Sequence, residues 1–187
     1  MAVAALFLCY VMASAQTFEV DGINYSVLSS TDKTVEVKSK TEKYSGDIVI
    51  PSAVVYNDVE YSVTSIGRYT FSGCSGLTSM TIPNSVTSIR ECAFQNCSGL
   101  TSVTISNSVT SIEKDVFYGC SGLTSVTIPN SVTSIGNQAF SGCSGLTSVT
   151  IPSGVTNIAS KAFSDCSGLK EVHISDIAAW CNINFDL

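Results

Sequence analysis

The sequence predicts a β-rich solenoid, and three observations support this. First, the block Cys-Ser-Gly-Leu recurs in steps of 23 residues without insertion or deletion, beginning at Cys74, Cys97, Cys120, Cys143 and Cys166. Second, apolar residues return at fixed places within every copy. Third, the segment Leu-Thr-Ser-Val-Thr-Ile, present in most copies, has the composition and alternation of a short strand. A constant period of this length is typical of chains that stack one structural unit per repeat.

The copy from Ile128 to Ile151 shows the expected layout of one repeat. Its L-x-x-V-x-I core, here Leu146 to Ile151, is the strand pattern of leucine-rich repeats. Pro129 ends the preceding strand because proline lacks an amide donor. We predict a single parallel sheet on the concave side of the solenoid. Residues 136–140 are expected to form a short helical or 3₁₀ turn, or a loop, on the opposite side.

Each repeat has about eight apolar positions that are expected to face the interior. A lone repeat cannot fold, because the free energy gained by burying these side chains is largely cancelled by the loss of chain entropy. Neighbouring repeats must therefore stack to form a continuous core. In the copy described above, the interior positions are Val132, Ile135, Ala139, Phe140, Cys143, Leu146, Val149 and Ile151.

Residues 16–62 do not follow the repeat and are predicted to form an N-terminal antiparallel β cap with an irregular first repeat. Apolar residues alternate from Phe18 to Val37, and Asp21-Gly22 occupies the place of a tight turn. Ile48 to Pro51 resembles the strand of a repeat, and a hairpin is expected around Asn57-Asp58. A solenoid needs such a cap because its open end would otherwise expose core. The regular repeats then occupy residues 63–174.

Residues 1–15 are predicted to be a signal peptide. The segment is apolar and ends in Ala13-Ser14-Ala15, the small-x-small pattern of a cleavage site, although no basic residue precedes it. The alternatives are an uncleaved anchor and a lipoprotein modified at Cys9, which Leu8 disfavours because it is large. We expect a secreted or cell-surface protein with no transmembrane span in the mature chain.

Residues 175–187 end the regular pattern. Ile177 to Cys181 is predicted to be a short amphipathic helix, with Asp176 as its N-cap. Two interpretations are open for this segment: a C-terminal cap, or an interruption that leaves the repeat array truncated.

The cysteines divide into a column and two separate residues. The five that open the Cys-Ser-Gly-Leu blocks share one repeat position, so we expect buried free thiols that behave as small apolar side chains. Parallel side chains in one column do not converge as a disulfide requires. Cys92 occupies a column otherwise filled by Tyr69, Asp115, Gln138 and Lys161, so we expect it to be exposed. Cys181 stands apart near the end of the chain.

The sequence contains no pattern typical of catalysis or metal binding. His173 is the one histidine, and its repeat position is otherwise filled by threonine, so we expect it to be exposed without a facing thiol. Cys92 and Cys97 do not make a metal site, because Cys97 belongs to the core column and no second pair follows. We predict a non-enzymatic protein without catalytic, metal-binding or cofactor-binding residues. With a net charge of −6 and no basic patch, no nucleic-acid partner is expected.

The candidate binding surface is the outward strip of the predicted strands. It consists of one side chain per repeat, at Thr81, Thr104, Thr127, Thr150 and His173. Three interpretations are open: solvated β-formers that only need to be polar, a binding strip for a protein or glycan, and a template for ordered water like that of ice-binding solenoids. The most variable positions lie on the far side, beginning at Arg68-Tyr69 and Arg90-Glu91.

The repeat I-P-x-x-V-x-x-I-x-x-x-A-F-x-x-C-x-x-L-x-x-V-x-I resembles that of the BspA-like leucine-rich-repeat family. Ile82-Pro83, Ala93-Phe94 and Cys97, with their equivalents, carry the resemblance over about residues 48–174. The departures are Ser106 in place of proline, Val116 in place of alanine, and the hairpin insertion. The resemblance implies a surface or secreted bacterial or protist protein that takes part in adhesion.

The leading functional hypothesis is therefore an extracellular or cell-surface adhesion module. It would recognise a host matrix or cell-surface protein, or a glycan, along the repeat surface. The alternative is a structural spacer or stalk segment of a larger surface protein, without a specific ligand. We expect a monomer that uses no cofactor.

Overall fold

The computed structural model describes residues 16–186, which begin with a β cap. Strands β1 (Thr17–Val20), β2 (Ile23–Ser29) and β3 (Thr34–Lys38) pair antiparallel in chain order. Asp21 and Gly22 link β1 to β2 with φ angles of 49° and 77°, a turn geometry that suits a two-residue hairpin. The predicted antiparallel cap is confirmed, whereas the predicted signal peptide, residues 1–15, lies outside the described residues.

The irregular first repeat follows the cap. Strand β4 (Gly46–Val49) is its first strand, and β5 (Ala53–Tyr56) pairs antiparallel with β6 (Val59–Ile66). The predicted hairpin turn is confirmed, since Asn57 and Asp58 have φ angles of 49° and 59°. Strand β6 also pairs parallel with β3, so the cap and the first repeat share one sheet.

Longer and shorter strands alternate from residue 77 onward, and each 23-residue repeat forms one rung of the stack. These elements are β7 (Leu77–Thr81), β8 (Ser88–Ile89), β9 (Ser102–Thr104), β10 (Ser111–Ile112), β11 (Ser125–Thr127), β12 (Ser134–Ile135), β13 (Ser148–Ile151), β14 (Asn157–Ile158), β15 (Glu171–Ile174), α1 (Ile177–Cys181) and β16 (Asn184–Phe185).

The longer strands form a six-stranded parallel sheet in the order β4-β7-β9-β11-β13-β15. Its register follows the sequence period, so that Val103 lies opposite Val126 and Thr104 opposite Thr127. Like residues therefore stack over like residues, as the constant spacing predicts. The predicted β-rich solenoid is confirmed.

The prediction of a single parallel sheet is wrong, because the short strands form a second parallel ladder. Strands β10, β12, β14 and β16 pair in that order, and β6 pairs with β8 in the same manner. Each of β8, β10, β12 and β14 supplies one outward polar residue and one buried isoleucine, such as Ser134 and Ile135. Residues 136–140 form hydrogen-bonded turns rather than a helix, with Ala139 N–H donating to the Gly136 carbonyl at 3.2 Å.

The core is a set of side-chain columns that run along the stack. The phenylalanine column is the clearest, with ring centroids 5.0 to 5.3 Å apart from Phe71 to Phe163. Near-parallel rings at this distance add to the burial of apolar area. The rungs also approach closely at the block glycines: a Cβ on Gly122 would lie 2.4 Å from the Ser98 carbonyl oxygen.

The final rung differs from those before it. Asp176 caps α1 by accepting a hydrogen bond from Ala179 N–H at 2.9 Å, which confirms the predicted helix and its cap. Beyond α1, β16 returns to the second ladder beside β14. Val172 and Ile174 are exposed, unlike their counterparts Val149 and Ile151 in the preceding rung. Within residues 16–186, no helix has the length and apolar character needed to cross a bilayer.

Candidate binding surface

The residues of the predicted binding strip lie opposite one another on the outer face of the six-stranded sheet. Register pairs place Thr81 opposite Thr104 and Thr127 opposite Thr150, and the line continues to His173. All five side chains are exposed. They face outward because the alternate residues, such as Val103 and Val126, are buried in the core. We call this column the hydroxyl strip.

A second threonine column runs beside the hydroxyl strip but uses its hydroxyls differently. Thr101, Thr124 and Thr147 each donate to the backbone carbonyl of the threonine one rung earlier, at 3.0, 3.3 and 3.4 Å. Within residues 16–186, no hydrogen bond is made by the hydroxyls of the hydroxyl strip. These hydroxyls are therefore available to a partner or to water, and the sequence could not distinguish the two columns because both consist of threonine.

Charged groups mark both ends of the outer face. At the first rung, the Asp47 carboxylate accepts hydrogen bonds from the hydroxyls of Ser79 and Thr78, each at 2.6 Å. These two donors, Ser79 and then Thr78, hold the pKa of Asp47 below its usual value, so it is ionised at neutral pH. At the last rung, His173 Nε2 lies 3.2 Å from Glu171 Oε2.

His173 has no nucleophile beside it among the described residues. Its close polar neighbour is Glu171, and the Cys166 thiol donates to the Phe140 carbonyl at 3.1 Å. A nucleophile activated by histidine requires a direct hydrogen bond between the two groups. The geometry is therefore that of a surface residue at the end of the hydroxyl strip.

The cysteine column faces the interior, as predicted. Each thiol from Cys97 to Cys166 donates to the carbonyl of a phenylalanine 26 residues earlier, as Cys120 does to Phe94 at 3.1 Å. The column consists of free thiols, and Cys166, in the last rung, is only half-buried. Burial raises the pKa of Cys143 to about 12, so this thiol stays protonated at neutral pH. The described residues hold no cluster of potential metal ligands.

The prediction that Cys92 is exposed is wrong, since only 4% of the residue is accessible. Its Sγ lies 3.9 Å from Asp115 Oδ2 of the next rung, while Tyr69 occupies the same column in the preceding rung. The residues of this column adopt left-handed φ angles, 58° for Cys92 and 57° for Asp115. The longer side chains of Tyr69 and Asp115, on the rungs before and after, shield the short Cys92 side chain from solvent. Its burial therefore results from the stacking of rungs and could not be inferred from the polar residues in its column.

The variable far side carries a cluster of charges on successive rungs. Arg68 pairs with Glu91, and the Glu91 N–H donates to the Glu113 carboxylate at 2.9 Å. Arg90 completes a shallow depression of about 230 Å³ with these three residues. Because Arg68 pairs with Glu91 and Arg90 pairs with Glu36, this cluster is a weaker candidate for binding than the hydroxyl strip.

The stacked parallel ladders and the buried L-x-x-V-x-I columns define a leucine-rich-repeat protein. The model of the BspA-type leucine-rich-repeat region matches residues 56–182 with six copies. The chain belongs to this family, as its repeat indicates. A comparison with curated proteins found no match.

Solved structures of bacterial leucine-rich-repeat proteins share the fold. A leucine-rich cell surface protein from Faecalibacterium prausnitzii is 31% identical with a TM-score of 0.81, over 91% of this chain and 43% of that one. A leucine-rich-repeat protein from Bacteroides ovatus is 29% identical with a TM-score of 0.64, over 83% of this chain and 52% of that one. The chain therefore spans about half the length of these relatives.

Proposed function

We propose that the protein is an extracellular or cell-surface binding module that holds a protein or glycan along the hydroxyl strip. The observation that carries the proposal is the alignment of His173 with four threonine hydroxyls on one exposed sheet face. None of these hydroxyls has a hydrogen-bond partner among residues 16–186. The partner class is a host matrix or cell-surface protein or glycan, and the role is adhesion.

The spacing of the strip suits a ligand with repeated polar groups. Adjacent parallel strands lie about 4.8 Å apart, so Thr81 and His173, four spacings apart, span about 19 Å. Each net hydrogen bond contributes about 0.5–1.5 kcal/mol, so useful affinity requires several rungs at once. Extended glycans and peptide backbones present hydrogen-bonding groups in such a series, and the strip offers both donors and acceptors through its hydroxyls.

Export to the cell surface is part of the proposal. The apolar residues 1–15 with Ala13-Ser14-Ala15 support secretion, and the similar Faecalibacterium prausnitzii protein is a cell surface protein. The low content of charged residues, 13%, is compatible with an exterior that hydroxyl groups keep hydrated.

Introducing positive charge on the strip tests whether the strip, and not another surface, binds the partner. The purified chain is titrated onto immobilised extracellular-matrix extract and a glycan array, beside the double variant Thr104→Lys, Thr127→Lys. Two bulky cations on the strip are expected to weaken saturable binding at least about tenfold, which corresponds to 1.4 kcal/mol.

The matched control is Thr110→Lys, Thr133→Lys, in the same two repeats. These threonines are exposed beside the second ladder, away from the hydroxyl strip. The control is expected to bind like the unmodified chain. Equal losses in both double variants would contradict the proposal, because they would show a general charge effect.

A structural spacer is the second candidate, and the uninterrupted 23-residue register favours it. A spacer binds neither the matrix extract nor the glycans, and it lengthens by about 5 Å for each added repeat. Saturable binding that depends on Thr104 and Thr127 would exclude this candidate.

A further inference from the structure

The first strand of the six-stranded sheet has an unpaired edge. Among the described strands, β4 pairs with β7 alone, and Ile50 N–H donates to the Thr81 carbonyl at 3.1 Å. In a parallel ladder successive residues direct their backbone groups to opposite sides, so Asp47 and Val49 direct theirs away from β7. Among residues 16–186, no hydrogen-bond partner is found for the backbone groups of Asp47 and Val49.

This edge faces a preformed cleft of about 390 Å³ between β4 and the N-terminal cap. The turn at Asp21-Gly22 and the segment 40–45 form the opposite wall. That wall is held in place, because Lys40 Nζ donates to the Gly22 carbonyl at 2.8 Å and lies 4.9 Å from the centre of the Tyr44 ring. The volume is within the range of ligand clefts, which begins near 300 Å³.

The charges around the cleft favour a cationic group. Three carboxylates line it, those of Asp21, Glu42 and Asp47. The two lysines of the lining, Lys40 and Lys43, offset two of these charges and donate to the backbone carbonyls of Gly22 and Ser72, so the lining keeps a net charge of −1. The ionised Asp47 side chain lies on β4 itself. The hydroxyls of Ser79 and Thr78 on β7 donate to its Oδ1, so its Oδ2 is the atom that can meet a basic group.

We propose that the free edge of β4 binds an extended peptide segment that carries a basic side chain. The segment adds a strand beside β4 through the backbone groups of Asp47 and Val49, and its basic group meets the carboxylates of the cleft. Main-chain pairing of this kind gives affinity, and the side chains of the added strand give specificity. The inference does not depend on the hydroxyl strip, so each can fail without the other.

Strand β15, at the other edge of the same sheet, serves as an internal control for binding at β4. Ser175 N–H donates to the Ile151 carbonyl, so Val172 directs its backbone groups to the free side, as Val49 does in β4. The 390 Å³ cleft adjoins β4, however, and the three carboxylates are found there. Binding is therefore expected at β4 and not at β15.

The experiment uses the full chain labelled with ¹⁵N and the capped peptide Thr-Val-Lys-Val-Thr. Amide signals of Asp47 and Val49 are expected to shift on titration, while that of Val172 stays in place. Replacing the peptide lysine by glutamate is expected to weaken binding about tenfold or more. N-methylation of the lysine and of one adjacent valine blocks both sides of the added strand, and it is expected to abolish binding. Asp47→Asn is expected to weaken binding of the lysine peptide alone.

Two proline variants form the matched pair. Val49→Pro removes an edge N–H that β7 does not use, and proline is tolerated at such positions. Val49→Pro is expected to abolish binding, whereas Val172→Pro leaves it unchanged. If Val49→Pro fails to fold, the N-methylated peptide and Asp47→Asn decide the matter on their own.

Three results would overturn the proposal. The first is the absence of any shift at Asp47 and Val49 at millimolar peptide. The second is binding that survives N-methylation of the peptide, since strand pairing would then play no part. The third is a concentration-dependent shift at these two residues without peptide, which would assign the edge to a second copy of the chain.

Discussion

The inner rungs and the last rung contain nearly the same residues, but neighbouring rungs surround those residues differently. Phe117 is fully buried between Phe94 and Phe140, whereas Phe163 stacks on Phe140 alone and is half-buried. Cys120 is fully buried, and Cys166 is half-buried. The stability contributed by a residue in this chain therefore depends on whether a neighbouring rung covers it on both sides, as expected of a one-dimensional stack.

The largest expected difference concerns the phenylalanine column. Phe117→Ala removes a ring packed on both faces and should lower the free energy of unfolding by about 3–5 kcal/mol. Phe163→Ala removes a ring packed on one face and should cost roughly half as much. Urea unfolding followed by circular dichroism measures both, and equal losses would contradict the dependence on neighbouring rungs.

The block glycines provide the second comparison. A Cβ at position 122 would lie 2.4 Å from the Ser98 carbonyl oxygen, so Gly122→Ala should force a backbone shift and cost about 1–3 kcal/mol. At Gly76 the nearest atom would be the Ser45 Cβ at 3.2 Å, because no regular rung precedes it. Gly76→Ala should cost less than about 1 kcal/mol. Thermal unfolding of the two variants measures both losses of stability. A larger loss for Gly76→Ala than for Gly122→Ala would show that the close approach of the rungs is not the constraint.

Alkaline pH should weaken the stack through its inner thiols. Burial raises the pKa of Cys143 to about 12, whereas a thiol in the unfolded chain titrates near 8.5. Between these values the unfolded state releases the proton and the folded state keeps it, so the free energy of unfolding falls as pH rises.

Cys143→Ala lacks this group, so its stability deficit against the unmodified chain should shrink by roughly 1–2 kcal/mol between about pH 8 and pH 10. Val149→Ala also removes buried volume but has no titrating group, and its deficit should stay constant. Urea titrations at both pH values measure the two deficits. A constant deficit for Cys143→Ala would refute the assigned pKa.

The smallest expected change in stability comes from glycine substitutions at left-handed positions, and it should be the same in inner and end rungs. Gln138 in an inner rung and Lys161 in the last one adopt φ angles of 55° and 58°, which glycine tolerates without strain. Gln138→Gly and Lys161→Gly should each stabilise the chain by about 0.5–1 kcal/mol. Ser134→Gly, in a strand, should destabilise it by a similar amount. Thermal unfolding measures both gains in stability. Unequal gains for Gln138→Gly and Lys161→Gly would show that packing against neighbouring rungs also contributes at these positions.

The sequence predicted the features that depend on its period. The in-register sheet, the inward cysteine column and the alignment of the hydroxyl strip all follow from like residues at a 23-residue spacing. The second ladder was missed because two-residue strands such as Ser134-Ile135 are too short to show alternation. The recurrence of a polar residue before a buried isoleucine was the available signal.

Features that arise between rungs or outside the repeats could not be predicted. Cys92 is buried by the rungs on either side of it, and its own column suggested the opposite. The hydroxyls of Thr101 and Thr104 differ only in whether a carbonyl of the previous rung lies within reach. The cleft beside β4 combines residues from the hairpin turn at Asp21, the segment 40–45 and the first strand, none of which belongs to the repeat.

The most direct test of the stacked architecture is the deletion of one complete repeat. Removing residues 98–120 joins Cys97 to Ser121 and keeps every column in phase. This variant should unfold cooperatively, and its maximum dimension in small-angle X-ray scattering should be about 5 Å shorter. Removing residues 98–119 instead shifts the columns by one position and should prevent folding. A folded 22-residue deletion, or a 23-residue deletion that collapses, would contradict the account.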